Sequence, residues 1–394
     1  MTRTLTGIST GLIRRVIASD HLAFTSDAIQ PDNEVPYIMS APHFATSLKI
    51  VSDPIFQVPE TYVNGGWSMV KGDLADFLLD TSNVISGAYK VYVNLTQLPN
   101  YLARHLKQTL FTRYFTRRVR THYDIDAFIY ELILGPSLAY TCAFFDDGAT
   151  TLEEAQDCKH QTILRRMELP EKGANILNIG SGWGSFEKFL SENKTDHCVT
   201  SLTISKNQRE YAEKSSNQPN FKFQLEDYVN HQPDQPYDGI LSIGMAEHIG
   251  LSELTTYMRA LDRLLKKGGT AVVHCMTKRK SGVPTSPWID KRIFPGGYIP
   301  SKGEMVKALE PTNLHIHKMH THAPENYAKT LRMWRNNLYD NQDAIKSKIS
   351  SHGLSSAEVE KEYRIWEMYL ACSELAFLSE DTRMNVTHFV LKHL

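Results

Sequence analysis

A strand, a glycine-rich turn and a helix in close succession limit what this chain can fold into more than any other feature. An apolar strand is predicted for Asn175–Ile179, the turn contains Gly180, Gly182 and Gly184, and a helix is predicted for Ser185–Glu192. Glycine lets the backbone turn sharply and approach a ligand closely, and the N-terminus of a helix attracts an anionic group. The spacing is G-x-G-x-G, which differs from the G-x-G-x-x-G of dinucleotide-binding turns. The pattern predicts a ligand-binding turn; a glycine loop that binds nothing is the alternative.

Beyond this turn, strand and helix patterns alternate. Further strands are predicted at Val199–Ile204, Phe221–Leu225, Gly239–Ile243 and Thr270–His274, with helices at Lys206–Lys214 and Ser252–Leu265. The pair Gly268-Gly269 is interpreted as the C-cap that ends the second of these helices. Such alternation indicates a parallel sheet with helices on both faces.

The C-terminal part has a different pattern. Two strands, predicted at Leu314–His320 and Val386–Leu391, flank long helical patterns at Tyr327–Asn341 and Ala357–Phe377. A parallel sheet that finishes in an antiparallel edge is the arrangement of class I methyltransferases, which use S-adenosylmethionine (SAM). The expected fold is therefore α/β: a Rossmann-like class I methyltransferase sheet with an antiparallel C-terminal edge, a smaller N-terminal domain, and a helical insertion that roofs the active site.

Composition argues against several other classes of protein. The formal net charge of -1 gives no reason to expect nucleic-acid binding. Five cysteines without a C-x-x-C pair argue against zinc ribbons and thioredoxin-like chemistry, so we expect no metal site. An odd number of cysteines fits a reducing cytosol. No apolar run approaches the ~20 residues that span a bilayer.

A basic stretch follows the first hundred residues. Residues 101–120 read YLARHLKQTLFTRYFTRRVR, with seven basic side chains, counting His105, and no acidic one. Two interpretations stay open: a solvated connecting helix, or a surface that meets anionic lipid headgroups.

Ionisable side chains follow two of the predicted strands. The fourth strand leads into Glu247 and His248, and the fifth ends at His274. Ligands of open α/β sheets bind beyond the carboxyl ends of the strands, and ionisable groups in apolar surroundings need partners. Glu247 and His274 are therefore candidate catalytic residues; a structural pair that braces two strands is the alternative, and His248 is the weakest candidate.

Polar groups after the second and third strands are candidates for holding a cofactor. Many nucleotide-binding folds place a carboxylate for the ribose after the second strand. This chain has Thr203, Ile204 and Gln208 there, so hydroxyl and amide groups are expected to bind the ribose. Glu226 and Asp227 follow the third strand and are expected to face an adenine, with a solvated acidic loop as the alternative.

Several motifs in order resemble one family, the cyclopropane-fatty-acid synthases, which include the mycolic acid cyclopropane synthases and related lipid methyltransferases. The motifs are HYDIDAFIYELILGPSLAYTCAFFDDGATTLEEAQ, NIGSGWGS, SLTISKNQ, SIGMAEHIG, SPWIDKRIFPGGYIPS and HAPENYAKTLRMW. The resemblance covers residues 122–394 well. Within residues 55–85, the pattern E-x-Y-x-x-G-x-W is similar to the family's N-terminal segment.

The resemblance implies a mechanism and a set of residues. In this family a lipid alkene attacks the SAM methyl group, and bound bicarbonate removes a proton from the resulting carbocation. The positions that match the bicarbonate site are Cys142, Glu247, His274, Met276 (through its backbone) and Tyr327. Two further positions, Tyr123 and Thr141, match the cofactor site. Aromatic walls for the cation are expected from Tyr140, Phe144, Phe145 and Trp334.

Three positions depart from the family's pattern. The family usually has Asp before the glycine turn and Cys within it, where this chain has Asn178 and Ser181. It commonly has Cys-Glu-x-x-Phe near the end, where this chain has Ser373 and places Cys372 one residue early. One residue turns a helical side chain by about 100°, so Cys372 is not expected to be catalytic.

The sequence therefore predicts a SAM-dependent C-methyltransferase, with bicarbonate as second cofactor. The foremost expectation is a cyclopropane synthase that acts on unsaturated phospholipid acyl chains. A small-molecule C- or N-methyltransferase and a catalytically inactive SAM-binding scaffold stay open as alternatives. The expected domains are an N-terminal lipid-binding-like domain (1–100), a basic linker helix (101–121) and a catalytic domain (122–394). The expected location is cytoplasmic with peripheral membrane association, and a homodimer is left open.

Overall fold

A computed structural model describes residues 2–16, 21–25, 34–83, 103, 127–146, 148–216 and 218–394. The N-terminal part contains α1 (Thr2–Val16), β1 (Leu22–Thr25), β2 (Tyr37–Ser40), α2 (Phe44–Ser52), α3 (Pro54–Val63), β3 (Met69–Lys71) and α4 (Leu74–Asn83). Its three strands form a small sheet in the order β1-β2-β3. The basic stretch 101–121 lies outside the described residues, apart from residue 103.

The remaining elements form the larger part of the molecule. They are α5 (Ala127–Leu134), α6 (Leu152–Arg166), β4 (Asn175–Ile179), α7 (Ser185–Glu192), β5 (Cys198–Thr203), α8 (Lys206–Ser215), β6 (Phe221–Leu225), β7 (Tyr237–Ile243), α9 (Leu254–Leu264), β8 (Leu265–Thr277), α10 (Pro287–Arg292), α11 (Lys302–Leu309), β9 (Leu314–His322), α12 (Pro324–Asp340), α13 (Gln342–Ser350), α14 (Ser356–Leu378) and β10 (Asn385–His393). Short 3₁₀ turns at Ala246–His248 and Leu251–Glu253 lie between β7 and α9.

The large sheet confirms the predicted fold class. Seven strands lie in the order β6-β5-β4-β7-β8-β10-β9, and only β10 runs antiparallel, to both of its neighbours. Apolar clusters bury the two faces of the sheet, as expected for strands covered by helices on both sides. The strand order reverses at β4, which places the glycine turn at the crevice where open α/β sheets bind ligands.

The predicted C-cap before β8 is wrong. The helix expected to reach Leu265 and to be capped by Gly268-Gly269 ends at Leu264, because Leu265 is already extended and pairs with Tyr237 of β7. The register then shifts, so that Gly239 pairs with Thr270 and the two glycines lie in an irregular part of β8. Gly268 adopts a positive φ of 77° there. The glycines therefore serve a bulge in a strand and not a helix end.

The insertion before the last strand connects the two parts of the chain. Helices α12 and α14 pack against each other, and α14 also packs against α3 and α4. Glu374 on α14 is buried between Arg332 and Arg335 of α12, and these arginines reach Asp76 and Asp73 at the start of α4. An ion-pair network around the buried Glu374 and Arg335 therefore holds the N-terminal part on the roof of the catalytic sheet.

The E-x-Y-x-x-G-x-W segment makes a second connection. Glu60 on α3 accepts a hydrogen bond of 3.0 Å from Nε of Arg292 on α10. Tyr62 donates to Glu367 of α14 and packs edge-on against Trp67. The motif therefore docks α3 against two elements of the catalytic part.

Candidate active site

The three glycines of the turn have positive φ values, but they serve different purposes. A Cβ atom at Gly180 would lie 2.8 Å from Cγ of Met245, and one at Gly184 would lie 2.7 Å from Cβ of Ala212. A Cβ at Gly182 would meet no atom within 4 Å. The backbone N–H groups of Gly180 and Ser181 both donate to the carbonyl oxygen of Leu202, which ties the turn to β5.

One cavity extends from this turn to the carboxyl ends of β7 and β8. Of the residues that the sequence assigns to the cofactor, those that line the cavity are Thr141, Gly180, Gly182, Thr203, Ile204, Gln208, Glu226 and Asp227. Gly184 is not part of this lining; it begins α7 and allows close packing of that helix on α8. Tyr123 lies outside the described residues.

Hydroxyl and amide groups do stand at the end of β5. Thr203 donates a hydrogen bond of 3.0 Å from Oγ1 to Oε1 of Gln208, and Ser205 caps α8 by accepting from the backbone N–H of Gln208. After β6, Glu226 pairs with Nδ1 of His231 at 2.7 Å. Asp227 accepts from the backbone of Val229 and lines the cavity.

Glu247 is a buried carboxyl group with one oxygen left over. Its Oε1 accepts a hydrogen bond of 2.6 Å from the backbone N–H of Met276, and its Oε2 is buried without a partner. Burial raises the pKa of Glu247 to about 7. A carboxyl group with this pKa can change its charge near neutral pH, which is typical of functional sites. Met276 was expected to contact bicarbonate through its backbone, but its N–H donates to Glu247.

His274 and Tyr327 line the same end of the cavity. His274 is buried, and its Nδ1 lies 2.8 Å from Nε2 of His388 on β10. Burial holds the pKa of His274 well below its usual value, so the ring is neutral. Tyr327, on α12, packs against Phe377 with ring centroids 4.6 Å apart. The structure therefore brings Glu247, His274, Met276 and Tyr327 together, as the sequence predicts.

Cys142 is placed differently from the other four. Its side chain is fully buried, its thiol donates to the backbone oxygen of Ala143, and burial raises the pKa of the thiol. Among the described residues, Cys142 is not part of the cavity lining, although its neighbours Tyr140 and Thr141 are. Cys372 also lies outside the lining and donates to the sulfur of Met368.

The aromatic wall differs from the expected one. Tyr140 lines the cavity, but Phe144 stacks on His322 at 3.9 Å, Phe145 lies under the ammonium of Lys329, and Trp334 packs behind Tyr140. The aromatic side chains of the lining that the sequence did not indicate are Trp183, Phe186, Tyr228, Phe294, Tyr298 and Tyr369. Phe294 and Tyr298 lie in the motif SPWIDKRIFPGGYIPS, and their aromatic side chains could have been predicted from that motif to line the cavity.

Comparisons with known proteins place the chain among methyltransferases of one family. Residues 112–389 match the family described as mycolic acid cyclopropane synthetase. The chain is 30% identical over 276 residues to a cyclopropane-fatty-acyl-phospholipid synthase of Escherichia coli, an alignment that covers 67% of each chain. It is 29% identical over 275 residues to a probable fatty acid methyltransferase of Mycobacterium tuberculosis, covering 68% of this chain and 61% of that protein.

A solved structure shows the same likeness. A mycolic acid cyclopropane synthase complexed with SAH and CTAB has 28% sequence identity to this chain and a TM-score of 0.60, covering 70% of this chain and 97% of the other. The fold and the cavity at its glycine turn define a class I SAM-dependent methyltransferase. Within that class, the chain belongs to the mycolic acid cyclopropane synthetase family.

The residues at the turn fit SAM. Gly182 leaves open space on the cavity side, and the buried Oδ1 of Asn178 and Oγ of Ser181 have no partner within the described structure. Both residues line the cavity, so these atoms are available to the polar groups of a cofactor. The two departures from the family's pattern in the turn are therefore compatible with cofactor binding.

Proposed function

We propose that this protein transfers a methylene group from SAM to a double bond in an unsaturated phospholipid acyl chain and forms a cyclopropane ring, with bicarbonate as the base. The observation that carries the proposal is the placement of Glu247, in the turn after β7, and His274, on the neighbouring strand β8, at one end of the same cavity. These two buried polar groups face a cavity that begins at the cofactor turn and is otherwise rich in aromatic side chains.

The relatives support the substrate class. The similar proteins are a cyclopropane-fatty-acyl-phospholipid synthase and a probable fatty acid methyltransferase, and both names refer to acyl chains. The alignments span 61% and 67% of these proteins. An acyl chain suits a cavity lined by Leu138, Ile289, Phe294 and Ile299 better than a charged substrate does.

The cavity suits a reaction that creates positive charge on an apolar substrate. SAM, when bound, supplies an electrophilic methyl group, and an alkene that accepts it becomes a carbocation. Tyr140, Phe294, Tyr298, Tyr327 and Tyr369 line the cavity. The faces of aromatic rings attract cations, and a cavity that excludes water prevents hydrolysis of a reactive intermediate.

Bicarbonate fits the polar end of the cavity. Glu247 presents the unpartnered Oε2, which can accept the O–H of the anion, and His274 and Tyr327 are of types that can donate to it. Bicarbonate would supply the base that removes a proton from the transferred methyl group. The buried amine of Lys159 donates to Thr141 behind this wall. Burial lowers the pKa of Lys159 to about 7, and its protonated form favours an anion.

We also propose that the protein associates with the membrane surface, since its substrate is a membrane lipid. The basic stretch 101–120 supports this part of the proposal, because each basic residue near an anionic surface contributes ~1 kcal/mol. In the described part of the chain, no helix combines the length and the apolar character needed to cross a bilayer.

The test measures methylene transfer with and without bicarbonate. Purified protein is incubated with SAM and vesicles of unsaturated phospholipid, and the acyl chains are analysed by mass spectrometry for the gain of one CH₂ group. We expect product only when bicarbonate is present. We expect Glu247→Gln to bind SAM normally and to lose about 100-fold or more in turnover, because a weakly held bicarbonate no longer acts as general base and such catalysis contributes roughly 10²–10⁴-fold. The exposed Glu310 provides the matched control, Glu310→Gln.

Two results would contradict the proposal. Full turnover by Glu247→Gln, together with indifference to bicarbonate, removes the cyclopropanation mechanism. If the protein efficiently methylates a small molecule and leaves the lipid unchanged, the small-molecule alternative replaces the phospholipid proposal. An N-methyltransferase only needs a base for its own amine.

A further inference from the structure

Behind His274 lies a chain of hydrogen bonds that leads away from the cavity. His274 on β8 and His388 on β10 are paired in the antiparallel ladder, and their rings meet at 2.8 Å between Nδ1 of His274 and Nε2 of His388. The other ring nitrogen of His388, Nδ1, contacts Nη1 of Arg166 at the end of α6. The same Nη1 lies 3.0 Å from Nε2 of His322 on β9.

The direction of each hydrogen bond follows from the chemistry of arginine. A guanidinium group has only donors, so Nδ1 of His388 must accept the hydrogen bond from Arg166. Burial lowers the pKa of both His388 and His274 well below the usual value, so each ring is neutral and carries one N–H. The hydrogen of His388 is then on Nε2 and is donated to Nδ1 of His274. His274 must carry its own hydrogen on Nε2.

We propose that Arg166 and His388 are positioning residues that hold His274 in its Nε2–H tautomer, so that His274 acts in the cavity as a neutral hydrogen-bond donor and not as a base. Nδ1 of His274 is engaged by His388, which leaves Nε2 as the nitrogen that a ligand in the cavity can reach. A donor at this place suits an anion or a substrate oxygen, and a base would need the lone pair that this tautomer lacks.

The second branch of the chain obeys the same rule. Nε2 of His322 accepts from Arg166, so the hydrogen of its neutral ring is on Nδ1, which lies 3.7 Å from a carboxylate oxygen of Asp146. The distance to Asp146 is that of an electrostatic contact, and the same carboxylate oxygen accepts a hydrogen bond of 2.8 Å from Asn326. Every donor in this branch therefore faces an acceptor. The opposite tautomers would direct N–H groups at the guanidinium, which has nothing to accept them with.

The charges around His274 support a neutral donor. Burial is the main cause of the lowered pKa of His274, and the neighbouring Lys159, His322 and Arg166 lower it further. An imidazolium at this place would be repelled by the guanidinium of Arg166 and by the protonated form of Lys159, both on α6, and no described carboxylate contributes to the shift in its favour. The identity of the group that accepts from Nε2 rests on the proposed function; the tautomer does not.

The direct test is the protonation state of His274 in the full-length protein. Ring-nitrogen NMR spectra of protein labelled with ¹⁵N-histidine, recorded at pH 7 without substrate, distinguish the Nε2–H tautomer from the Nδ1–H tautomer and from imidazolium. The signals of His274 are assigned by their loss in His274→Gln. We expect the Nε2–H tautomer. An Nδ1–H or doubly protonated His274 overturns the inference.

Two different substitutions of His388 test whether its hydrogen bond to His274 matters for catalysis. His388→Gln keeps an N–H donor close to the place of Nε2, whereas His388→Met removes it. We expect His388→Met to mix the tautomers of His274 and to lower kcat by roughly 10- to 100-fold, the range found when partners that orient metal-binding histidines are removed. We expect His388→Gln to keep most of the activity and both variants to keep the KM for SAM.

A control and the remaining outcomes separate this inference from the proposed function. His317→Gln, on the same β9 strand as His322 but paired with Glu168, should change neither the signals of His274 nor kcat. Equal activity of His388→Met and His388→Gln refutes the positioning role. If the Nε2–H tautomer is found but bicarbonate has no effect on turnover, the bicarbonate mechanism fails while the assignment of the tautomer stands.

Discussion

Alanine substitutions at Gly182 and Gly184 can separate cofactor binding from folding. Both glycines have left-handed φ values, 57° and 82°, and an L-residue in that region costs roughly 1–2 kcal/mol. At Gly184 the new Cβ would also lie 2.7 Å from Cβ of Ala212, and overpacking of this kind adds about 1–3 kcal/mol. We therefore expect the free energy of unfolding to fall by about 1–2 kcal/mol in Gly182→Ala and by about 2–5 kcal/mol in Gly184→Ala.

The order of the two variants should reverse when SAM binding is measured. The new methyl group of Gly182→Ala enters the open space of the cavity, where the cofactor has to approach the backbone. We expect calorimetric titration to show at least a tenfold loss of affinity, which corresponds to about 1.4 kcal/mol, and no binding by Gly182→Val. Folded Gly184→Ala should bind SAM as the unmodified protein does. Undiminished affinity in folded Gly182→Val would falsify the assignment of the turn.

Three further predictions concern the roof, the pH dependence and the basic stretch. Glu374→Gln should lower the free energy of unfolding by about 3–5 kcal/mol in thermal denaturation, because it leaves the fully buried Arg335 without one of its two carboxylates; the exposed Glu362→Gln should have no effect. Burial raises the pKa of Glu247 to about 7, so its ionised form is lost as pH falls through about 7, and kcat/KM should drop there. The raised pKa also means that Glu247 lowers the free energy of unfolding as pH rises from about 4.5 to about 7. An activity profile that stays flat across this range contradicts the assignment. Changing the four arginines of residues 113–120 to Gln should weaken sedimentation with anionic vesicles, less so at high salt; equal sedimentation at low salt would make the stretch a connector.

The parts of the site that the sequence could predict depend on local patterns. Strand Asn175–Ile179 and helix Ser185–Glu192 have the predicted bounds, because a buried strand, three glycines and an amphipathic helix follow each other without interruption. Glu247 and His274 were expected to lie close together because the carboxyl ends of neighbouring parallel strands meet at one edge of a sheet. That argument needs only the strand order, which the fold class determines.

The parts that could not be predicted depend on long-range packing. His274 and His388 are separated by 114 residues, and their contact requires the antiparallel register of β8 and β10, which no local pattern specifies. Cys142 and Phe144 stand in an irregular segment before α6, where neither helical nor strand periodicity shows which side chains face the cavity. Their neighbour Tyr140 does face it, so the choice among adjacent residues is made by the packing of α12 and α14.

Asn178, which departs from the family's pattern, is hydrogen-bonded to a buried carboxyl group on the helix that follows the turn. Asn178 donates a hydrogen bond of 2.7 Å to Glu187, a fully buried carboxyl group on α7 that also accepts from Ser201. The aspartate that is usual in the family would place a second carboxyl group against Glu187, and two such groups in a buried site cannot both ionise. The amide at position 178 therefore satisfies Glu187 while keeping an oxygen available on the cavity side. The pair shows how the turn can lose its usual carboxylate and keep a polar group in the same place.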